Sequence, residues 1–149
     1  MISGENFVQF GIRGYWPDRS VLDWTHQQGA TWYTMTDIYT RGLELCINEA
    51  VARATRNVDG LFVSVDVDVC DPAFVPGTGI PEPGGLTAVE ILHTIRKIAM
   101  ENAIVGFDIV ELSPAYDHAE VSALLANRIV LELLSGVAYY KKETYHGSV

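Results

Sequence analysis

The stretch from residue 60 to residue 87 constrains this chain most, because it joins a strongly apolar run to a loop dense in glycine and proline. Residues 61–69 alternate valine and phenylalanine with small or acidic residues, which predicts a strand buried on at least one face. The strand has to end at Asp71-Pro72, because proline cannot continue a sheet ladder. Thr87, followed three residues later by Glu90, predicts a capping box that opens a helix.

Two carboxylates lie at the end of this predicted strand. Side chains two apart share a face of a strand, so Asp66 and Asp68 are expected on one side, about 7 Å apart. Their charges would repel unless a cation lay between them, and carboxylate oxygens suit Mn²⁺ or Mg²⁺. Glu111 ends a later apolar run, residues 104–110, and is expected to open onto the same face. Open α/β sheets place their ligand sites at this end of their strands.

The remaining chain alternates predicted strands with predicted helices, which favours parallel pairing and one α/β domain. Strands are expected at residues 7–13, 30–35, 61–69 and 104–110, and helices at 20–28, 37–55, 87–102 and from Asp117-x-x-Glu120 to about residue 140. The tail from Lys141 is expected to be loose.

Composition limits the classes of partner. An apolar content of 48% with 19% charged residues is typical of a globular protein. The net charge of −9 and the lack of a basic cluster argue against nucleic acid and are compatible with a cationic small molecule. No signal peptide and no 18-residue apolar run is evident, which argues against secretion and a membrane span. Cys46 and Cys70 form no C-x-x-C pair, so we expect reduced thiols in a cytoplasmic protein.

Other interpretations of the acidic motif are weaker. An apolar run into D-x-D also begins the nucleophile motif of haloacid-dehalogenase-type phosphatases, but those enzymes need a later G-D-x-x-x-D segment, which is absent here. The glycine-rich loop lacks the G-K-[ST] ending of a phosphate-binding P-loop. A surface D-x-D pair can also be a solvated turn with no ligand.

The motif as a whole resembles the signature of the ureohydrolases, the arginase and agmatinase family. The resemblance rests on S-V-D-V-D-V-C-D-P and P-G-T-G-I-P-E-P-G-G-L-T, within residues 64–87. Residues 8–14, V-Q-F-G-I-R-G, and residues 106–114, G-F-D-I-V-E-L-S-P, follow the family in order and spacing. The G-I-R-G turn is similar to that of agmatinases and guanidino-acid hydrolases, and the departures at Cys70 and Ile80 fall at positions that bind no metal.

The resemblance implies both a fold and an activity. The fold is a three-layer αβα sandwich with a mainly parallel sheet, the arginase-like fold. The activity is manganese-dependent hydrolysis of a guanidino compound to urea and an amine at a binuclear site, in a protein that is usually a homo-oligomer. Asp66 and Asp68 then correspond to catalytic metal ligands, and Glu111 to the carboxylate that holds the substrate guanidinium. Agmatine is the first choice of substrate, and a guanidino acid such as guanidinobutyrate the second.

The family's upstream histidine and D-A-H-x-D segment are missing from this sequence. The resemblance therefore predicts that residues 1–149 are the carboxyl-terminal portion of a single domain whose amino-terminal half is missing. The strand that carries D-A-H-x-D would lie between the 61–69/104–110 pair and the 7–13/30–35 pair. The isolated chain is expected to be inactive, and the alternative is a truncated or split fragment that serves as an assembly or binding module.

Overall fold

The computed structural model describes residues 2–15 and 17–146, which divide into two compact units. One unit ends at Val58 and the other begins at Asp59. Within the described residues, each unit contains one two-stranded parallel sheet and its own helices.

The first unit is a strand–helix–strand crossover followed by two helices. Its elements are β1 (Val8–Ile12), α1 (Arg19–Gln27), β2 (Thr31–Thr34), α2 (Met35–Arg41) and α3 (Leu43–Ala54). Strand β1 pairs with β2 in parallel, as predicted. Tyr33, Ile38, Cys46, Ile47 and Ala50 are buried in this unit.

The helix expected over residues 37–55 is two helices, so that prediction was wrong. Gly42 separates them with φ +94°, a conformation that residues with a side chain rarely adopt and that no α-helix contains. Helix α2 begins at Met35, directly after its N-cap Thr34, whose side chain and backbone form a capping box with Asp37. Arg41 and Glu49 form an ion pair that links the two helices.

The second unit carries every residue predicted to act on metal or substrate. Its elements are β3 (Leu61–Asp66), α4 (Ala88–Glu101), β4 (Ile104–Val110) and α5 (Val121–His146). Strands β3 and β4 pair in parallel, with Val65 opposite Ile109 and Asp66 opposite Val110. This pairing confirms the neighbour relationship that the resemblance implied.

Strand β3 is shorter than predicted, because it ends at Asp66 rather than Val69. Residues Val67–Val69 form one turn of 3₁₀ helix instead. The Asp66 carboxylate caps that turn by accepting a hydrogen bond from the amide of Asp68. An aspartate side chain can bond to nearby backbone amides in this way and so replace the backbone hydrogen bonds of a sheet. The alternation of valines by itself does not indicate this.

Helix α4 packs against α5 to form the core of the second unit. It opens at the predicted capping box, in which Thr87 and Glu90 exchange hydrogen bonds. Ile91, Ile95 and Ile98 of α4 are buried, as are Ile129 and Leu133 of α5. Burial of apolar side chains along both helices stabilises the pair.

The ion-paired Glu132 lies within this helix pair. It is 7% exposed and pairs with Arg96 of α4 and with Arg128 one turn away on α5. A hydrogen bond from Arg128 lowers the pKa of the Glu132 carboxyl, burial opposes that effect, and Arg96 adds to the lowering.

Helix α5 differs from its predicted bounds at both ends. It begins at Val121, because Ala119 and Glu120 have φ of +52° and +59° and lie outside the helix. It continues to His146, so the prediction of a loose tail from Lys141 was wrong for the part that the structure describes. Val121–Thr144 is long and apolar enough to cross a membrane, so the interpretation that the sequence has no such apolar run was wrong. The buried core helices of soluble proteins also meet this criterion of length and composition.

Candidate metal and substrate site

Asp66 and Asp68 are brought together by a turn, not by a continuous strand. Asp66 is the last residue of β3 and is partly buried, whereas Asp68 lies in the 3₁₀ turn that follows. The amide of Asp68 donates to Oδ1 of Asp66 at 3.1 Å. The expectation that both side chains lie on one face of a single continuous strand was therefore wrong, because the strand ends at Asp66, although the two residues are neighbours at its carboxyl end.

The Asp66 carboxyl lies in an environment that disfavours its charge. Burial raises the pKa of Asp66, the amide of Asp68 opposes that rise, and the neighbouring Asp68 and Glu111 carboxylates add to it, which gives a pKa of about 6. Asp68 and Glu111 are thus both within electrostatic reach of Asp66. A bound cation would offset this repulsion and favour the ionised form of Asp66.

Glu111 follows directly on the residue paired with Asp66. Val110 lies opposite Asp66 in the sheet, and Glu111 is the next residue, exposed and with φ +61°. This placement agrees with the predicted position at the end of the fourth strand. The hydroxyl of Thr78 donates to the backbone carbonyl of Glu111 at 2.9 Å. A Cβ added at Gly79 would lie 3.5 Å from Oε2 of Glu111, so glycine leaves the carboxylate open on that side.

The start of the glycine- and proline-rich loop is fixed by hydrogen bonds to the segment after β4. The carbonyl of Gly77 accepts from the amide of Ser113 at 2.8 Å, and the amide of Gly77 donates to Oγ of Ser122 at 2.8 Å. Oγ of Ser122 donates in turn to Asp117 at 2.8 Å. A Cβ at Gly77 would lie 2.6 Å from Cβ of Asp117, so only glycine fits there.

Asp117, where the last helix was predicted to open, anchors the beginning of α5 with its carboxylate. Its carboxylate accepts from the amides of Ser122 and Ala123 at 3.1 and 3.0 Å. Burial acts to raise the pKa of Asp117, but these hydrogen bonds outweigh it and hold the pKa below its usual value.

The far end of the loop returns to the strand through Asp71. The Asp71 carboxylate accepts from the amides of Ala73 and Gly84, at 2.9 and 2.8 Å. The amide of Asp71 donates to the carbonyl of Leu86, and a Cβ at Gly85 would overlap the backbone of Cys70 and Asp71. Both ends of the loop are therefore held beside Asp66, Asp68 and Glu111, which we call the acidic cluster.

The donor chemistry of the cluster suits a hard divalent cation, but the donor set is small. Carboxylate oxygens are the ligands that Mn²⁺ and Mg²⁺ prefer. Within residues 2–15 and 17–146, no group of three or more His, Cys, Asp or Glu side chains is arranged to hold a metal ion. Among the described residues, Asp66 and Asp68 would therefore supply only part of the ligands that such a cation takes.

The sequence interpretation missed Thr78 and Ser122. Thr78 stands inside the P-G-T-G motif, so its place in the loop was visible but its bond to Glu111 was not. Ser122 follows the acidic segment before α5, and no local pattern marks it as the partner of Gly77, 45 residues earlier.

Comparison with known proteins decides the family. The model of the arginase family matches residues 1–136. The chain belongs to the arginase family. The resemblance drawn from the sequence is thereby confirmed.

Relatives within the arginase family carry several different activity names. A formimidoylglutamase of Halalkalibacterium halodurans is 37% identical over 133 residues, which are 89% of this chain and 42% of the relative. An agmatinase of Bacillus anthracis is 34% identical over 139 residues, 91% of this chain and 44% of the relative. This chain therefore spans less than half the length of these arginase-family relatives.

A solved arginase-family structure confirms the fold. The proclavaminate amidino hydrolase of Streptomyces clavuligerus superposes with a TM-score of 0.81 at 36% identity, over 93% of this chain and 44% of that chain. The expected arginase-like α/β fold is correct.

Proposed function

We propose that this chain forms the substrate-binding side, and part of the metal-binding side, of a manganese-dependent ureohydrolase that cleaves a guanidino compound to urea and an amine. The observation that carries the proposal is the acidic cluster of Asp66, Asp68 and Glu111 at the carboxyl ends of two paired strands. Membership of the arginase family supports the same chemistry.

Asp66 and Asp68 are the residues that would hold manganese in this proposal. A bound pair of such ions supplies an ionised water at neutral pH. The chain's own contribution is to keep the two carboxylates together, through the hydrogen bond from the amide of Asp68 to Asp66. Partial burial of Asp66 strengthens its interaction with any bound cation, because a lower local dielectric raises electrostatic energies.

Glu111 is the residue that would hold and orient the substrate. A carboxylate accepts two parallel N–H bonds from a planar guanidinium, which fixes both its position and its plane. Glu111 is exposed and faces no side chain from Gly79, so a ligand can reach it. Two neighbouring carboxylates add further attraction for a cation.

Agmatine is the substrate that we favour, with a guanidino acid such as guanidinobutyrate second. The net charge of −9 and the acidic cluster favour the dication agmatine over a zwitterionic guanidino acid. The similarity to an agmatinase supports this choice, while a formimidoylglutamase and a proclavaminate amidino hydrolase are similar to a comparable degree. Substrate preference is therefore the first quantity to measure.

We further propose that catalysis requires an amino-terminal portion that supplies the remaining ligands. Two facts support this: the chain spans 42–44% of the relatives' length, and the described residues hold no group of three metal-binding side chains. Tight metal sites need more ligands and residues that orient them. On its own, the chain would then act at most as an assembly or binding module.

The test is an assay of urea release with Mn²⁺ on agmatine and on guanidinobutyrate. The chain is assayed alone and after fusion to the part of the Bacillus anthracis agmatinase that it does not match. We expect no activity from the chain alone and metal-dependent urea release from the fusion, faster with agmatine. A folded, manganese-loaded fusion that releases urea from neither compound would refute the proposal.

A further inference from the structure

Two buried hydroxyl groups hold the glycine- and proline-rich loop: that of Ser122 bonds it to the start of α5, and that of Thr78 bonds it to Glu111. Thr78 is 3% exposed and Ser122 is 0% exposed, and neither belongs to the acidic cluster. Buried hydroxyl groups require partners, and the partners here are the main chain of Gly77 and Glu111 and the carboxylate of Asp117.

The first connection fixes the loop. Ser122 accepts a hydrogen bond from the amide of Gly77 and donates one to Asp117, so the first turn of α5 holds the loop from one side. The carbonyl of Gly77 accepts from the amide of Ser113, which holds it from the other side. Thr78, the next residue, therefore has a fixed position.

The second connection passes from Thr78 to Glu111. The hydroxyl of Thr78 donates to the carbonyl of Glu111 at 2.9 Å, and Thr78 also forms an antiparallel bridge with Leu112. Glu111 has φ +61°, which is uncommon for a residue with a side chain and persists only where the surrounding structure imposes it. The bond from Thr78 acts on the residue that has this conformation.

We infer that Thr78 and Ser122 are positioning residues for substrate recognition: they hold Glu111 in its left-handed conformation and so aim its carboxylate at the guanidinium. The inference rests on the proposed function. The Asp66–Asp68 pair is held by its own turn, through a bond that involves neither hydroxyl. Loss of either hydroxyl should therefore weaken substrate binding without releasing metal.

The decisive variants are Thr78→Val, which keeps the shape of the side chain and removes its hydroxyl, and Thr78→Ser, which keeps the hydroxyl. In the fusion enzyme, Thr78→Val should raise KM for agmatine by about tenfold, the equivalent of one lost hydrogen bond, with kcat and bound manganese close to wild type. Thr78→Ser should restore the wild-type KM. A role in stability alone would not separate KM from metal content in this way.

Ser122→Ala provides an independent variant if Thr78→Val fails to fold, and Ser135→Ala, an exposed serine on the same helix, is its control. Ser122→Ala should raise KM as Thr78→Val does, and Ser135→Ala should not. A wild-type KM in a folded Thr78→Val or Ser122→Ala enzyme would overturn the inference. So would a rise in KM accompanied by loss of manganese.

Amide NMR of the fusion protein separates this inference from the proposed function. Thr78→Val should shift the amide signals of Glu111 and Leu112, and Thr78→Ser should return them, while those of Asp66 and Asp68 stay in place. If the wild-type fusion releases no urea, the proposed function fails by itself. If the Glu111 signal does not move, the positioning role fails whatever the activity.

Discussion

The amide of Asp68 donates a 3.1 Å hydrogen bond to the carboxylate of Asp66, and this one bond ends strand β3. Because the chain turns there, two carboxylates that an extended strand would separate meet at the carboxyl end of the sheet. The same turn starts the loop that reaches Glu111. The bond between these two residues therefore determines both where the carboxylates of the candidate site lie and where the loop starts.

Replacing either aspartate should abolish both metal binding and turnover. Each variant, Asp66→Ala or Asp68→Ala in the fusion enzyme, removes one of the two carboxylates that this chain is proposed to contribute to manganese binding. We expect the loss of most bound manganese and at least about a thousandfold loss of kcat. Metal analysis and urea assays measure the two effects. Asp59→Ala, an exposed aspartate just before β3, is the control, and full manganese content in an Asp66→Ala enzyme would contradict the assignment.

Replacing Glu111 should affect substrate instead of metal. Glu111→Ala removes the carboxylate proposed to hold the guanidinium, and we expect KM for agmatine to rise by about a hundredfold, since charge-assisted bidentate bonds contribute more than one ordinary hydrogen bond. Bound manganese should stay near the wild-type level. If this variant loses its metal as the aspartate variants do, Glu111 is a metal ligand and our division of roles is wrong.

Glu132 should make stability depend on pH. Its folded pKa lies below the usual 4.5, so the ionised carboxylate stabilises the fold above that value, and this stabilisation disappears as pH falls through the folded pKa. Glu132→Gln should lower the free energy of unfolding by about 1–2 kcal/mol at pH 7. The effect is no larger because both arginine partners are partly exposed and solvent weakens their ion pairs. Chemical denaturation of the fusion protein with and without Glu132→Gln, at pH 7 and pH 3, measures the difference in free energy of unfolding, which should shrink at pH 3. A difference that stays constant would contradict the ion-pair account.

Gly136 should be intolerant of alanine even though alanine favours helices. Its Cβ would lie 2.5 Å from Cβ of Ala99 and 3.0 Å from the carbonyl of Arg96, where α5 meets α4. The gain in helix propensity is about 1 kcal/mol, whereas overpacking costs about 1–3 kcal/mol, so we expect a net loss of about 1 kcal/mol. Thermal melting of the fusion protein with Gly136→Ala against the fusion protein with Ser135→Ala tests this, and a higher melting temperature for Gly136→Ala would refute it.

The lone chain should associate or melt without cooperativity. In the described structure β3 pairs only with β4, and Phe62 and Val105 on these strands are 53% and 71% exposed. An apolar strand with an unpaired edge invites strand addition. Size-exclusion chromatography and thermal melting of the 149 residues provide the measurement. A compact monomer with one sharp transition would show that no further strand is needed.

Some helix and strand ends that are set by residues close in sequence were predicted correctly. The capping box at Thr87 and Glu90 marked the start of α4, and the apolar run over residues 104–110 gave β4 its observed bounds. The pairing of β3 with β4 and of β1 with β2 followed from the family resemblance and is also correct. These features depend on neighbours in sequence or on a motif that spans the loop.

Features that depend on one side chain acting on a distant or turned backbone were not predictable. The end of β3 at Asp66 depends on a carboxylate accepting an amide two residues on, inside an unbroken valine alternation. The helix break at Gly42 was missed because a single glycine inside a helical pattern does not by itself indicate a positive φ. The partnership of Gly77 with Ser122 spans 45 residues and leaves no periodic trace.

That last partnership also sets an order of events during synthesis. The amide of Gly77 obtains its side-chain acceptor only when Ser122 has left the ribosome, and Asp117 completes the arrangement from the same late segment. A nascent chain that ends between β4 and α5 already contains Asp66, Asp68 and Glu111, yet it lacks the hydroxyl that fixes the loop beside them. The glycine- and proline-rich loop is therefore expected to be among the last parts of the second unit to become ordered as the chain is made.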